Sequence, residues 1–394
     1  MTGAAGEWRP RPAPDPAAPP LAGVRVLDLS RVLAGPWATM TLADLGADVL
    51  KIERPGGGDD TRQWGPPWVE EPGAARTASY FHAANRNKRS LAIDMATREG
   101  AARVRGLAAE ADVVVENFPL RAGPDGPVHS LLKHGLDPAS LCAAAPSLIV
   151  CSITGYGHTG PRAAEPGYDA MIQGMSGHMS VTGEADGPPL KIGVALMDVL
   201  TGLTAANAIQ AALLRRARTG RGERIDLALF DVAVQCLANQ ATGALASGSD
   251  PGRLGTAHPS IVPYQGFACA DGHVMLAVGN DAQHGRLCDL LGAPELAAGD
   301  YGTNAGRVAG RDALVPALAA RIATHGRDAF LLACAERAIP AGPINTIHEA
   351  LADPQAVARG LALDLDGAPG VRSPFRFAEA GAVAPRRAPA LGDG

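Results

Sequence analysis

The stretch VRVLDLSRVLAGPWATMTLADLGADVLKIERPGGG, residues 24–58, decides the fold. Val24–Leu29 is a short apolar run of β character. From Ala34 to Leu45 the apolar residues recur at helical spacing, and Gly46 ends the turn of helix. Asp48–Glu53 (DVLKIE) is again strand-like and stops at Pro55 and the run of three glycines behind it. Strand, helix, strand in about thirty residues predicts a parallel pair with a crossover helix. The pattern repeats outward. Strands are expected at Arg89–Ile93, Ala111–Glu116 and Leu148–Ile153, with helices at Arg98–Glu110 and Pro138–Ala145 between them. Such alternation predicts a doubly wound α/β sheet, Rossmann-like in type. The turn after the first strand, Ser30-Arg31-Val32-Leu33-Ala34-Gly35-Pro36, holds one glycine where a dinucleotide fingerprint needs three. NAD is therefore not expected.

Further on, Ile192–Met197 reads as a small apolar strand feeding a long Ala- and Leu-rich helix from Val199 to Arg218. The basic cluster Arg215–Arg224 at its end fits a helix C-terminus closed by Gly220. ERIDLALFD then predicts another strand and helix start. From Gly248 the texture changes to Gly, Pro and His. A hairpin turning at Asp271-Gly272 within Gln265–Val278 follows, with helices at Gln283–Leu291 and Arg311–His325. The expected organisation is a flexible Pro-rich tail (1–20), a large Rossmann-like domain (21–225), a linker helix with a small α+β domain (226–338), and a return to the large domain (339–394).

Composition narrows the function classes. Hydrophobic residues make up 46% and charged residues 19%, and the net charge is −5, which argues against nucleic-acid or anionic-membrane partners. The six cysteines show no CxxC pairing, so neither a disulfide framework nor a zinc site is expected. The first twenty residues carry six prolines and no apolar core, unlike a signal peptide or membrane anchor. No later run reads as continuously apolar over a bilayer's thickness. A soluble, cytoplasmic protein is expected.

No GxSxG, HExxH, P-loop or EF-hand pattern occurs, and the histidines are dispersed, so no metal is expected. The acid that stands out is Asp198, at the junction of apolar strand and long helix. As an N-cap it would satisfy orphan N–H groups and nothing more. The same position would also hold a carboxylate ionised while partly desolvated, as a carboxylate nucleophile requires.

The ordered blocks VLDLSRVLAGPWATMTLADLGADVLKIERPGGGD, NRNKRSLAIDM, ADVVVENF, GYGHTGP, GYDAMIQGMSG, RTGRGERIDLALFD and AHPSIVPYQGF resemble the CaiB/BaiF (class III) CoA-transferases, from about Leu21 to Gly392. The resemblance implies transfer of coenzyme A between carboxylic acids. It also implies ring-shaped subunits of two domains, interlocked as a homodimer. No permanently bound cofactor is implied; the acyl-CoA thioester is a co-substrate and a carboxylic acid the partner. By this likeness the catalytic aspartate falls on Asp198, behind the tract GPPLKIGVALM, and Asp169 belongs to the pocket wall. Arg54 matches an arginine on the nucleotide part of CoA. Val32 and Leu33, Ile93, Asp94 and Met95, and Asn117 and Phe118 match segments lining the CoA cleft, and Tyr168 a position beside the thioester. Taken alone, Arg54 reads as a solvated loop charge and Asn117 as a strand-end turn.

The implied chemistry runs through an aspartyl mixed anhydride and an aspartyl-CoA thioester, with backbone N–H groups near the start of the long helix as expected oxyanion donors. Two departures stand out. The segment FPLRAGPDGPVHSLLKHGL after Asn117 is longer and richer in glycine than the family's, leaving Arg121 and Lys133 as substitutes for a phosphate-contacting arginine. GTAHPSIVPYQGF stands where formyl-CoA transferases carry a glycine-rich loop, as in relatives handling succinyl-CoA and dicarboxylates. His258, Tyr264 and Arg31 are accordingly the candidates to bind a distal carboxylate. The competing readings are an α-methylacyl-CoA racemase, which carries His where this chain has Tyr168, and a non-catalytic CoA-binding protein.

Overall fold

In a computed structural model the description covers residues 7–13, 15–70, 76–124 and 126–393. Strand β1 (Arg25–Asp28), helix α1 (Ala34–Asp44) and strand β2 (Asp48–Glu53) form as the opening stretch predicts, β1 pairing parallel with β2 from Arg25 opposite Asp48. Val26 and Val49 face α1 while Leu27 and Leu50 face the other way, the period-2 alternation of a strand buried on both sides. The other strands are Arg89–Ala92, Val113–Glu116, Ile149–Thr154 and Glu223–Ala228. In chain order one to six they lie side by side as 6-5-4-1-2-3, all parallel. That is the doubly wound order, which reverses between β1 and Val113–Glu116.

Each face of the sheet has its own core. On one, α1 and the long helix Leu196–Thr219 bring Leu42, Ala205, Ala206 and Ile209 onto Val113, Ile149 and Ile153. On the other, helix Arg98–Glu110 brings Val104 and Leu107 onto Leu29, Ile52 and Val114. A Cβ at Gly202 would stand 2.7 Å from the Ala34 carbonyl oxygen and 2.9 Å from Trp37 Cβ, so the two helices cross at backbone distance there. Leu196–Thr219 is also long and apolar enough to cross a membrane, which the sequence reading did not anticipate. Seven of its residues are buried.

The chain divides into two units: residues 1–178, 191–248 and 355–394 form one, and 179–190 with 249–354 the other. The second unit is built on a three-stranded antiparallel sheet, Tyr264–Cys269, Gly272–Ala277 and Ala341–Pro343. Its core holds Phe267, Val274, Leu276, Leu314, Leu318 and Phe330.

Three expectations change. Helices Leu229–Cys236 and Ala238–Ser247 stay with the first unit, since Leu229 and Ala233 join its core. The return comes at Gln355, not 339, because Ala341–Pro343 completes the small sheet. The N-terminal segment is no flexible tail from residue 7 onward. Trp8 is buried, Arg89 donates to the Glu7 carbonyl at 2.7 Å, and Arg11 pairs with Asp112 at 2.9 Å.

Beneath the carboxyl ends of the central strands lies a buried ionic network. Asp28 meets Lys88 Nζ at 3.0 Å, and Lys51 Nζ meets Asp59 at 3.0 Å. Glu53 accepts two hydrogen bonds from Arg62, at 2.8 and 2.7 Å. Three acids balance three bases, which makes the burial tolerable. Burial pushes the Asp28 carboxyl up, but Lys88, Lys51 and the Ser30 and Thr39 hydroxyls outweigh it and hold it at about 2.

Candidate active site

Ligands of open parallel sheets bind outside the carboxyl ends of the strands, where the strand order reverses. The loops at that point are tied together here. Asn117 accepts from Arg31 N–H at 2.9 Å and donates to the Arg31 carbonyl at 2.7 Å. Val32 adopts a positive φ of 71°, and its N–H donates to Asp59 at 3.3 Å, linking the loop to the buried network.

Two pockets share this wall through Arg31 and Phe118. The smaller, about 210 Å³, is lined by Arg31, Arg54, Ile93, Asp94, Met95, Phe118 and His134. Arg31 and Arg54 both stand over Asp60, at 3.4 and 4.0 Å, with side chains 45% and 67% exposed. Two half-free arginines at the mouth of a cleft suit a polyanion such as a nucleotide phosphate. The larger pocket, about 290 Å³, is lined by Arg31, Val32, Leu33, Asn117, Phe118, Tyr168 and Asp198, with Asp60 and Glu165. The ten residues expected from the CoA-transferase likeness therefore divide between two adjoining pockets of one unit. His258 and Tyr264 do not join them. They belong to the second unit, where their rings lie 5.3 Å apart and the His258 N–H donates to the Tyr264 carbonyl. Arg121 is exposed on a hairpin, Leu120–Gly123 with Gly126–His129, and neither it nor Lys133 lines either of these two pockets; His134 lines the smaller.

The surroundings of Asp198 correct the sequence reading in two ways. The residues before it form no strand, and the helix begins at Leu196 with Ala195 as N-cap, so Asp198 lies inside the first turn. The capping is done by Asp169, whose Oδ2 accepts from Met197 N–H at 2.8 Å and Asp198 N–H at 3.3 Å. Leu196 and Val199 donate to Val194 and Ala195 carbonyls. The first-turn N–H groups are thus occupied and are not the oxyanion donors expected. The Asp198 carboxylate itself accepts no hydrogen bond among the described residues. Burial, then the charge of Asp169, pushes its pKa up to about 7.

Gly155 and Gly167 touch beside this pocket. A Cβ on Gly155 would lie 2.6 Å from Gly167 Cα, so the loop bearing Tyr168 is pressed directly on the end of strand Ile149–Thr154. Sequence reasoning missed Tyr80, on helix Ser79–Asn85, whose hydroxyl is pushed up to about 12 by burial and by Asp198 and Asp169. Its position within TASYFH, residues 77–82, carries no periodic or motif signal. None of the residues lining the Asp198 pocket is a histidine. No group of three potential metal ligands occurs among the described residues.

Comparison with known proteins agrees with this geometry. The profile of "CoA-transferase family III" matches residues 21–394. The succinate–glutarate CoA-transferase of Agrobacterium fabrum is 51% identical, over 95% of this chain and 94% of that protein. The succinyl-CoA:glutarate CoA-transferase of Mus musculus is 44% identical, over 93% and 81%. The crystal structure of a CAIB/BAIF family protein from Brucella suis superposes with a TM-score of 0.86 at 52% identity, over 95% and 97% of the two chains. The chain belongs to CoA-transferase family III, the CaiB/BaiF family, and is a CoA-transferase.

Proposed function

We propose that the enzyme exchanges coenzyme A between succinate-type dicarboxylates, with Asp198 as covalent catalyst. The observation that carries this is the Asp198 carboxylate, half-buried, without a hydrogen bond from the described residues, and lining a 290 Å³ pocket at the sheet's switch point. An unpaired buried carboxylate is costly to keep, and a nucleophile is a reason for keeping one.

Asp198 attacks the donor thioester carbonyl. The C–S bond breaks, the electron pair leaves on CoA sulfur, and an acyl-aspartyl anhydride forms. The thiolate then attacks the aspartyl carbonyl and expels the donor acid as its carboxylate, leaving an aspartyl-CoA thioester. The acceptor carboxylate runs the two steps in reverse. Atoms and charge balance at each stage. CoA lies along the smaller pocket, its phosphates against Arg54, so that its thiolate is held for the second attack. Val32, Leu33, Ile93, Asp94, Met95, Asn117 and Phe118 line its path, and Tyr168 flanks the thioester.

The dicarboxylate assignment is supported by the two relatives above, which are named for succinate and glutarate. Arg31 lines both pockets and is the one lysine or arginine among the residues lining the Asp198 pocket, which suits it to a distal carboxylate. His258 and Tyr264 are the second candidates. Within the same proposal the subunits pair as an interlocked homodimer in the cytoplasm; light scattering that returned the mass of one chain would remove the pairing. The test of substrate is a comparison of succinyl-CoA with acetyl-CoA and formyl-CoA as donors to glutarate at matched concentrations. Succinyl-CoA is expected to win by at least tenfold. Preference for a small donor would sink the dicarboxylate reading and leave the CoA-transferase in place.

A further inference from the structure

We propose that Asp169 is a positioning residue that holds the Asp198 backbone and uses its fixed negative charge to favour the acylated over the free form of Asp198. The proposal rests on the covalent reading of Asp198 given above.

The geometry is a chain of three links. Asp169 Oδ2 takes the N–H groups of Met197 and Asp198, at 2.8 and 3.3 Å. Its Oδ1 accepts from Gln173 Nε2 at 2.6 Å. Gln173 Oε1 accepts in turn from Ile192 N–H at 2.8 Å. Asp169 and Gln173, one turn apart on helix Asp169–Met175, thus clamp both ends of the segment that delivers Asp198. Asp169 accepts three hydrogen bonds from N–H donors and is buried.

The Asp169 charge sits close to a second carboxylate. The groups facing Asp198 are Asp169, Tyr80 from helix Ser79–Asn85, and Arg31, Asp60 and Glu165 around the pocket. After burial, Asp169 is the one that moves the Asp198 pKa upward. Two like charges in a site of low polarity repel, and the repulsion ends when one is neutralised. Acylation neutralises Asp198, because the anhydride and the thioester carry no charge there and the electron pair departs on sulfur or on the released acid. The repulsion therefore weighs against free enzyme and vanishes in both intermediates. It also makes Asp198 a more basic, and so stronger, nucleophile than an ordinary aspartate.

The test uses full-length enzyme and the variant Asp169→Asn, which keeps an acceptor for the two N–H groups and removes the charge. In wild type, kcat/KM should fall tenfold per unit below about pH 7, where Asp198 becomes protonated. In Asp169→Asn that limb should move down by about one unit or more. The fraction of enzyme carrying CoA covalently, read by intact mass after acid quench, should drop several-fold, with KM for the CoA substrate nearly unchanged. Asp169→Glu should restore the limb toward wild type. An adduct in wild type together with an unmoved limb in Asp169→Asn overturns the role of Asp169 alone. No adduct in wild type overturns the covalent reading beneath it. Should Asp169→Asn not fold, the melting temperature of Asp198→Asn against wild type decides. The variant should gain more at pH 8, where wild-type Asp198 is ionised, than at pH 5; an equal gain at both overturns the proposal.

Discussion

Asp198 shows which of two opposed effects wins at a single residue. Its place in the first turn of a 24-residue helix favours the anion, by about 0.3–1 kcal/mol for such a charge. Burial and Asp169 work the other way, and a rise from 3.8 to about 7 corresponds to roughly 4 kcal/mol. The net effect is a carboxylate less stable as the anion than an ordinary aspartate, as the proposed covalent role requires. Asp198→Ala should therefore leave circular dichroism and CoA binding in place while lowering transfer by at least 10³-fold, on the scale of losing a covalent nucleophile. Hydroxylamine added during wild-type turnover should trap the activated acyl group on the peptide holding Asp198, and turnover near wild type in Asp198→Ala would remove the mechanism. Arg54 belongs to a different class. Its side chain is mostly in solvent, so Arg54→Ala should weaken CoA binding by only about 1 kcal/mol, roughly fivefold, with kcat little changed. Calorimetry on the free coenzyme measures this directly; unchanged affinity would make Arg54 an ordinary loop charge.

At the scale of elements, the site depends on how the long helix meets α1. Gly202 lies one turn beyond Asp198 and is where the helices touch. Gly202→Val should force them apart, at about 1–3 kcal/mol by overpacking. Denaturant melts should show the loss, and transfer should fall with it, since Asp198 rides on the displaced helix. A variant as stable and active as wild type would mean the crossing is softer than drawn. These elements were largely legible beforehand. Helix Arg98–Glu110 was bounded to the residue, because charged and apolar positions alternate at a clean helical period and Thr97 caps it. The tract Ile192–Met197 was misread as a strand, since a short apolar run has no period of its own and its N–H groups pair with side chains distant in sequence. The same limit hid Asp169's capping: nothing local marks an acid that serves a helix 28 residues on. The hairpin Leu120–Gly123 with Gly126–His129 went unseen because it is built from glycine, proline and exposed residues rather than alternating apolar ones. Asp198, Arg54 and the cleft segments were recognised through family resemblance, which composition and periodicity alone could not supply.

For the whole molecule, the two sheet-face cores of the first unit and the separate core of the second imply two cooperative units. All four tryptophans, Trp8, Trp37, Trp64 and Trp68, lie in the first. Unfolding followed by tryptophan fluorescence should report that unit alone, while far-ultraviolet circular dichroism reports both. The two curves are expected not to coincide, with part of the dichroism change lacking a fluorescence counterpart. Superimposable curves would show instead a single cooperative transition.

The contact between Gly155 and Gly167 has a bearing on how such an enzyme diverges. Either glycine replaced alone drives a side chain into the opposite backbone, and replacing both makes the collision worse. No series of single viable substitutions therefore leads away from this crossing. Lineages that take up new acids are expected to vary around it, at Tyr168, Arg31 and Leu33, which line the Asp198 pocket. A library aimed at altered acid choice should accordingly yield active clones from those three positions and almost none from the two glycines.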